Sequence, residues 1–236
     1  MMGLLFFLVE PTVGSAAPVS PVCAPGTLQQ YIDLGVNGCQ LGDKFFFNFG
    51  YVPFPAFIPN PTPNQILVTP ISTALNPGFT FTSNPAWTAV GPDIAFTVLI
   101  QPQGNPIADA SLALGVDQVA PNGSVGINER LCLNGTWDRP SFITCSTNNS
   151  TTLIVADAAP PVVPVRQAAT NIKPPVPMMD VDLRLSVSKN LSLTSFTAQF
   201  SEIPEPGTSL LTFPALLVFA GVAVFKQRRK NCPGRS

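Results

Sequence analysis

Between residues 24 and 203 the chain repeats one local pattern: short β-type runs separated by clusters of Gly, Pro, Asn and Asp. Nine such runs stand out: "KFFFNFGYV" (44–52), "QILVTPI" (65–71), "GFTFTS" (78–83), "DIAFTVLIQ" (93–101), "SLALGVDQV" (111–119), "SVGINERLCL" (124–133), "TTLIVA" (151–156), "DLRLSVS" (182–188) and "SLTSFTAQF" (192–200). They are rich in aromatic and β-branched residues, and several alternate with period two, as Phe79 and Phe81 do, or Leu183, Leu185 and Val187. Such a chain can bury its apolar faces by stacking one antiparallel sheet on another. The expected fold is mainly β: an antiparallel β-sandwich over residues 18–203 with one short N-terminal helix. That helix is read at "GTLQQYIDLG" (26–35), where Thr27 can cap it and Gly35 can end it. Leu28, Tyr31, Ile32 and Leu34 would form its buried face. Two proline-dense stretches, 52–64 and 159–177, are expected as surface loops of polyproline type.

The side chains available restrict the chemistry. There is no histidine, which removes the commonest general base, the Ser-His and Cys-His pairs and nearly every zinc or copper site. Charged residues are only 11% and the net charge is −1, so no basic face offers a footprint for nucleic acid. No P-loop, G-x-S-x-G or G-x-G-x-x-G is present. Carboxylates are the remaining candidates. Asp180 and Asp182 share one face of a strand about 7 Å apart. The expectation is a pair of solvated strand-end acids rather than a Ca²⁺ site, which needs six or more oxygens. Asp138 and Glu129 could be imagined as a glycosidase pair, but sequence gives no proximity. Trp87 and Trp137 are expected in the core rather than as sugar-stacking platforms. No cofactor and no metal site is expected, and the body reads as non-enzymatic.

Five cysteines occur, at 23, 39, 132, 145 and 232. In an exported chain an even set reads as disulfides. Cys23, Cys39, Cys132 and Cys145 allow three connectivities, of which local pairing, Cys23 with Cys39 and Cys132 with Cys145, is preferred. Each closure would contribute about 3 kcal/mol on the chain-entropy model. Sequons at Asn122, Asn134, Asn148, Asn149 and Asn190 keep open a rival reading as a eukaryotic type I surface protein.

The two ends read as targeting segments. Residues 1–17, with an apolar run from Gly3 to Val9 and then "PTVGSAA", have the outline of a signal peptide. That outline lacks a leading Lys or Arg, as in a weak or truncated leader. Residues 208–225 form an apolar run long enough for a short single transmembrane helix, with Pro214 in its first turn. "KQRRK" follows, and Lys226, Arg228, Arg229 and Lys230 would hold that end in the cytoplasm. Cys232, beyond the anchor, is then unpaired by topology.

"IPEPG", a short apolar helix and a basic cluster, in that order near the C-terminus, resemble the PEP-CTERM sorting signal of Gram-negative bacteria. The resemblance covers residues 204–230 with Ile203. It implies that Pro204, Glu205 and Pro206 are recognition residues for exosortase, a membrane-embedded transpeptidase-like enzyme that cuts near the motif. It implies export, temporary anchoring in the membrane through the C-terminal helix, and release to the cell surface or medium. Residues 23–49 and 179–206 also look, more loosely, like exported PEP-CTERM proteins with a β-rich body, with no activity implied. Extracellular polysaccharide is the candidate partner of such a body. The alternatives are a carboxylate-based enzyme on that polysaccharide, or a surface adhesion or glycan-binding module.

Overall fold

The computed structural model describes residues 20–53, 60–73, 75–88, 92–101, 104–115, 123–139, 141–158, 164–188 and 192–202. The leader (1–17), the sorting motif, the anchor and the basic cluster lie outside these residues.

The strands are, in chain order, β1 (Gly26–Thr27), β2 (Cys39–Leu41), β3 (Lys44–Val52), β4 (Ile66–Ile71), β5 (Gly78–Trp87), β6 (Asp93–Ile100), β7 (Ile107–Leu114), β8 (Ser124–Leu133), β9 (Ser150–Ala158), β10 (Gln167–Val176), β11 (Met178–Val187) and β12 (Leu193–Glu202). They form two six-stranded sheets, ordered β1-β4-β5-β12-β7-β10 and β2-β3-β6-β11-β8-β9, and all neighbours within each sheet are antiparallel. The inner faces share one apolar core. Phe46 and Phe96 of the second sheet meet Phe79 and Phe200 of the first, with ring centroids 4.8–6.2 Å apart. Edge and stacked aromatic pairs at these distances add to area burial.

One α-helix, α1 (Leu28–Asp33), follows β1. Thr27 accepts from the Gln30 N–H while the Gln30 side chain accepts from the Thr27 N–H, a reciprocal capping box. Gly35, at φ +55°, continues the chain in the left-handed region that glycine enters without strain. Leu28 and Tyr31 are the buried residues of the helix, as its sequence implies; Ile32 and Leu34 are half-buried against the core.

Each of the nine β-type runs falls on a strand, with two corrections of extent. Of "SLALGVDQV", residues 116–119 lie outside the described residues, and residues 111–114 are the second half of a strand that begins at Ile107 and ends at Leu114. At the next residue, Gly115, a Cβ would come within 1.9 Å of Ser195 Oγ. The larger correction concerns 159–177, expected as loop: Gln167–Val176 is the edge strand β10, paired along β7. Its Pro174 and Pro175 fall where the ladder skips from Asn171 to Val176, and an edge strand with a break tolerates residues without an N–H. Within 52–64, Val52 belongs to β3 and Pro63–Gln65 is a turn of 3-10 helix, while Pro61 is buried beneath a hydrogen bond from the Tyr51 hydroxyl (2.5 Å).

Candidate functional site

Outward-facing positions of the second sheet should meet water, and Ala95 and Thr97 of β6, Asp180 and Asp182 of β11 and Cys132 of β8 do not. Counting by two from Met179 puts Val181, Leu183, Leu185 and Val187 in the core and Asp180, Asp182 and Arg184 on the outer face. Asp180 and Asp182 are nonetheless fully buried. The solvated strand-end reading of these acids is therefore wrong. The cause is the segment between Cys132 and Cys145, which folds back over the outer face.

That segment is pinned by a Cys132–Cys145 disulfide and packs Trp137 and Phe142 with Ala95 and Val52 in a small second apolar cluster. Under it, acids and guanidinium groups pair across the strands. Asp182 takes Arg130 of β8, which also donates through Nε at 2.8 Å; Asp93 takes both Arg184 Nε (3.1 Å) and Nη2 (2.9 Å). Asp180 holds the loop itself. Its Oδ2 accepts the Trp137 N–H (2.9 Å), and its Oδ1 accepts from Thr97 (3.0 Å) and Arg139 (2.7 Å). The Asp180 carbonyl accepts from the Trp137 indole at 3.1 Å. Arg130 lies 5.3 Å over the Trp137 ring and Arg139 lies 5.7 Å from the Phe142 ring centroid, cation–π distances. Burial, then the nearby Asp93 charge, pushes the Asp182 carboxyl up to about 6 despite Arg130. Charge is balanced within the layer, so it serves as a buckle that fastens the loop to the sheet.

Glu129 and Asp138 are not brought together. Glu129 points into the core between the sheets with Ile127 and Leu131, while Asp138 lies in the loop on the other face. Asp138 is tied down locally: it accepts from the Ser141 hydroxyl and from the Thr144 N–H at 2.6 Å, and those bonds lower its pKa. Neither oxygen of Glu129 has a partner, and burial pushes its carboxyl from 4.5 to about 8. Folded Glu129 thus holds its proton more tightly than unfolded Glu129. Its contribution to stability is full below about 4.5 and is lost as pH rises toward 8, at about 1.4 kcal/mol per pH unit. Asp182 adds a loss of the same sign, confined to the range below about 6. The urea midpoint of the oxidised protein should fall between pH 6 and pH 8, and Glu129→Gln should flatten that part of the profile. Superimposable profiles for the two proteins would refute this account of Glu129.

A second set of buried charges was not legible in the sequence. Lys44, at the start of β3, is fully buried and bonds Asp43 (2.6 Å), Glu202 (2.8 Å) and the Asn105 carbonyl (3.0 Å). Asn105 closes the ring, donating its side-chain amide to Glu202 (3.1 Å) and its N–H to Asp43 (2.7 Å). Burial opposes charge on Asp43, but hydrogen bonds and the Lys44 ammonium outweigh it and lower its pKa. This ring joins the two sheets at one end of the sandwich.

The outer face of the first sheet has a different chemistry. Thr69, Thr80, Thr197, Ala113 and Gln167 form one row across five strands, and Thr80 and Thr197 share a hydrogen bond of 3.0 Å. A shallow hollow of about 340 Å³ lies there, bordered by Ser111, Ala113, Gln167, Ala169, Thr197 and Gln199, none of them charged.

The two cysteine pairs are those preferred from spacing. Cys23–Cys39 closes the β2 edge and Cys132–Cys145 closes the loop. Two structural disulfides belong to chains that fold in an oxidising compartment. Trp87 and Trp137 are buried. Pro204, Glu205 and Pro206, and Lys226, Arg228, Arg229 and Lys230, lie outside the described residues. Among the described residues no helix is long and apolar enough to cross a membrane, and no group of three or more His, Cys, Asp or Glu side chains converges as a metal site.

The chain is thus a disulfide-bonded, all-antiparallel sandwich of two six-stranded sheets. No family model and no curated protein matches it. Among solved structures, the enzymatically active domain of tailspike protein 4 of bacteriophage CBA120 aligns at 10% identity and TM-score 0.27. The alignment covers 66% of this chain and 19% of that one, so this chain spans about a fifth of the phage protein. Likeness at that level carries no argument about fold or activity.

Proposed function

We propose that this is a non-enzymatic exported protein of the bacterial envelope or exopolysaccharide layer, delivered and processed through a PEP-CTERM tail. In this reading exosortase recognises Pro204, Glu205 and Pro206 while residues 208–225 hold the chain in the membrane and residues 226–230 stop it. The supporting observation is the pair of disulfides, which fits folding outside the cytoplasm. The ionised acids of the outer layer are moreover committed to guanidinium partners, which suits a framework better than acid–base work. Mass spectrometry of the protein from a host with and without its exosortase tests the proposal. A mature C-terminus near the Pro-Glu-Pro motif is expected only in the strain that has the enzyme. Chains intact through Ser236 in both strains would overturn it.

A glycan-binding role is a second reading, favoured by the uncharged hydroxyl- and amide-lined hollow between β12, β7 and β10. Glycan-array binding that is lost in Gln199→Ala or Thr197→Val would support it, and a blank array would dismiss it.

A further inference from the structure

Fully buried lysines are rare, and Lys44 is one. Its surroundings are those of a nucleophile facing an amide as much as those of an ion pair. Glu202 presents one oxygen to each of two nitrogens: Oε1 accepts from Lys44 Nζ at 2.8 Å, and Oε2 accepts from the Asn105 side-chain amide at 3.1 Å. A single carboxylate thus touches both the amine that could attack and the nitrogen that would leave. Asn105 is held from two further sides, since its N–H donates to Asp43 Oδ2 (2.7 Å) and its carbonyl accepts from Lys44 Nζ (3.0 Å). With Nζ already against the backbone of this residue, a turn about the Asn105 χ1 brings Cγ toward the about 3–3.5 Å of a near-attack pair.

The chemistry of the place favours attack. Burial disfavours the ammonium relative to the neutral amine, which is the form that acts as a nucleophile. Glu202 is itself buried and lies within hydrogen-bond reach of that amine, the geometry of a general base. Asp43 stays on the far side of Nζ at 2.6 Å and fixes its direction. The residue after Asn105 is Pro106, which has no N–H. The backbone there offers no nitrogen to cyclise onto the Asn105 side chain, so Lys44 is the amine placed to reach it.

We propose that Lys44 and Asn105 become joined by an isopeptide bond, formed within the folded chain with Glu202 as the acid–base group. Lys44 Nζ passes a proton to Glu202, and its lone pair forms a bond to Asn105 Cγ. Glu202 gives that proton to Nδ2 as the Cγ–Nδ2 bond breaks, then takes a second proton from Nζ. One ammonium, one primary amide and one carboxylate become one secondary amide, one ammonia and one carboxylic acid, with no other reactant. A cation and an anion vanish together, so closure leaves no uncompensated charge on that pair. The bond ties β3 of the second sheet to the connection between β6 and β7, which crosses to the first sheet. The hydrogen bonds of the ring are those of the open state, and substituting Lys44 or Glu202 keeps the chain open. Closure therefore adds to the losses such substitutions cause. The proposal is independent of how the tail is processed.

The test is mass spectrometry of the oxidised full chain, intact and after digestion. The protein should be lighter by one ammonia than the mass calculated between its mapped termini with both disulfides formed. Peptides carrying Lys44 and Asn105 should be recovered as one cross-linked species, and trypsin should not cut the unfolded, reduced protein after Lys44. Asn105→Ala and Glu202→Gln should each restore the full mass and the cut. Lys44→Arg keeps the cation, should also show the full mass, and stands in if the other variants fold poorly. Glu129→Gln should close as the parent does. A folded parent of full mass that trypsin cuts after Lys44 once unfolded would overturn the proposal. So would a link from Lys44 to Asp43 or Glu202 with loss of water, or an ammonia loss that persists in Asn105→Ala.

Discussion

Asp180→Ala should destabilise the folded protein by about 3–5 kcal/mol and lower its Tm by roughly 10 °C. The carboxylate is fully buried and holds three donors, the Trp137 N–H, the Thr97 hydroxyl and the Arg139 guanidinium, of which the first two have no other partner among the described residues. Truncation leaves the first two buried without partners, at about 1–3 kcal/mol each. It also leaves Arg139 without its counter-ion, although that side chain is 30% exposed and recovers part of its hydration. The Cys132–Cys145 disulfide keeps the released loop tethered, so the freed chain gains less entropy than an open loop would, which sets the ceiling. Asp180→Asn separates charge from shape. Either orientation of the amide turns an NH₂ group toward a donor, Trp137 N–H on one side or Arg139 on the other, so a loss of intermediate size is expected. Urea unfolding of the oxidised proteins, followed by the near-ultraviolet dichroism of Trp137, reads both effects. A midpoint for Asp180→Ala within about 0.5 kcal/mol of the parent, a size typical of surface substitutions, would show that the buckle does not hold the loop.

The period-two reading of β11 was correct about direction and wrong about environment. Alternation tells which residues share a face; it does not tell what lies on that face. The signal that could have revealed the cover is local. Trp137 and Phe142 sit between two cysteines thirteen residues apart, and so short a cross-linked loop must press two such rings on a neighbouring surface. Glu129 was legible in the same way, since it falls in phase with Ile127 and Leu131. An inward acid runs against every expectation of burial cost, and only the raised pKa reconciles it with the core. β10 was hidden by its prolines, because the rule that excludes proline from central strands says nothing of a broken edge. Helix α1 was readable in place because its signals, Thr27 and Gly35, lie within one short segment, although the helix itself is Leu28–Asp33 and Gly35 opens a turn of 3-10 helix. The Lys44 ring was not readable at all. Its partner Glu202 lies 158 residues away, and no pattern within either strand points to the other.

That ring supplies the other large effect. Lys44→Met should cost about 3–5 kcal/mol, because it strands the Glu202 carboxylate in a buried position with the Asn105 amide as its remaining donor. The cost belongs to the uncompensated charge rather than to the pair. Removing both charges should therefore recover most of it. Glu202→Gln alone should also destabilise, since the Lys44 ammonium keeps Asp43 and the Asn105 carbonyl but loses its most deeply buried counter-ion. The double variant Lys44→Met/Glu202→Gln should lie nearer the parent than the Lys44→Met single, with a coupling energy of about 1–3 kcal/mol in the cycle. Glu202 ends β12 and precedes the Pro-Glu-Pro motif by two positions. The ring accordingly clamps the last residues of the sandwich to the opposite sheet, at the boundary where the proposed sorting signal begins. Single variants should make residues 193–202 more susceptible to proteolysis, and the double variant less so. Additive single effects, with no coupling in the cycle, would mean that Lys44 and Glu202 are held by their other contacts rather than by each other.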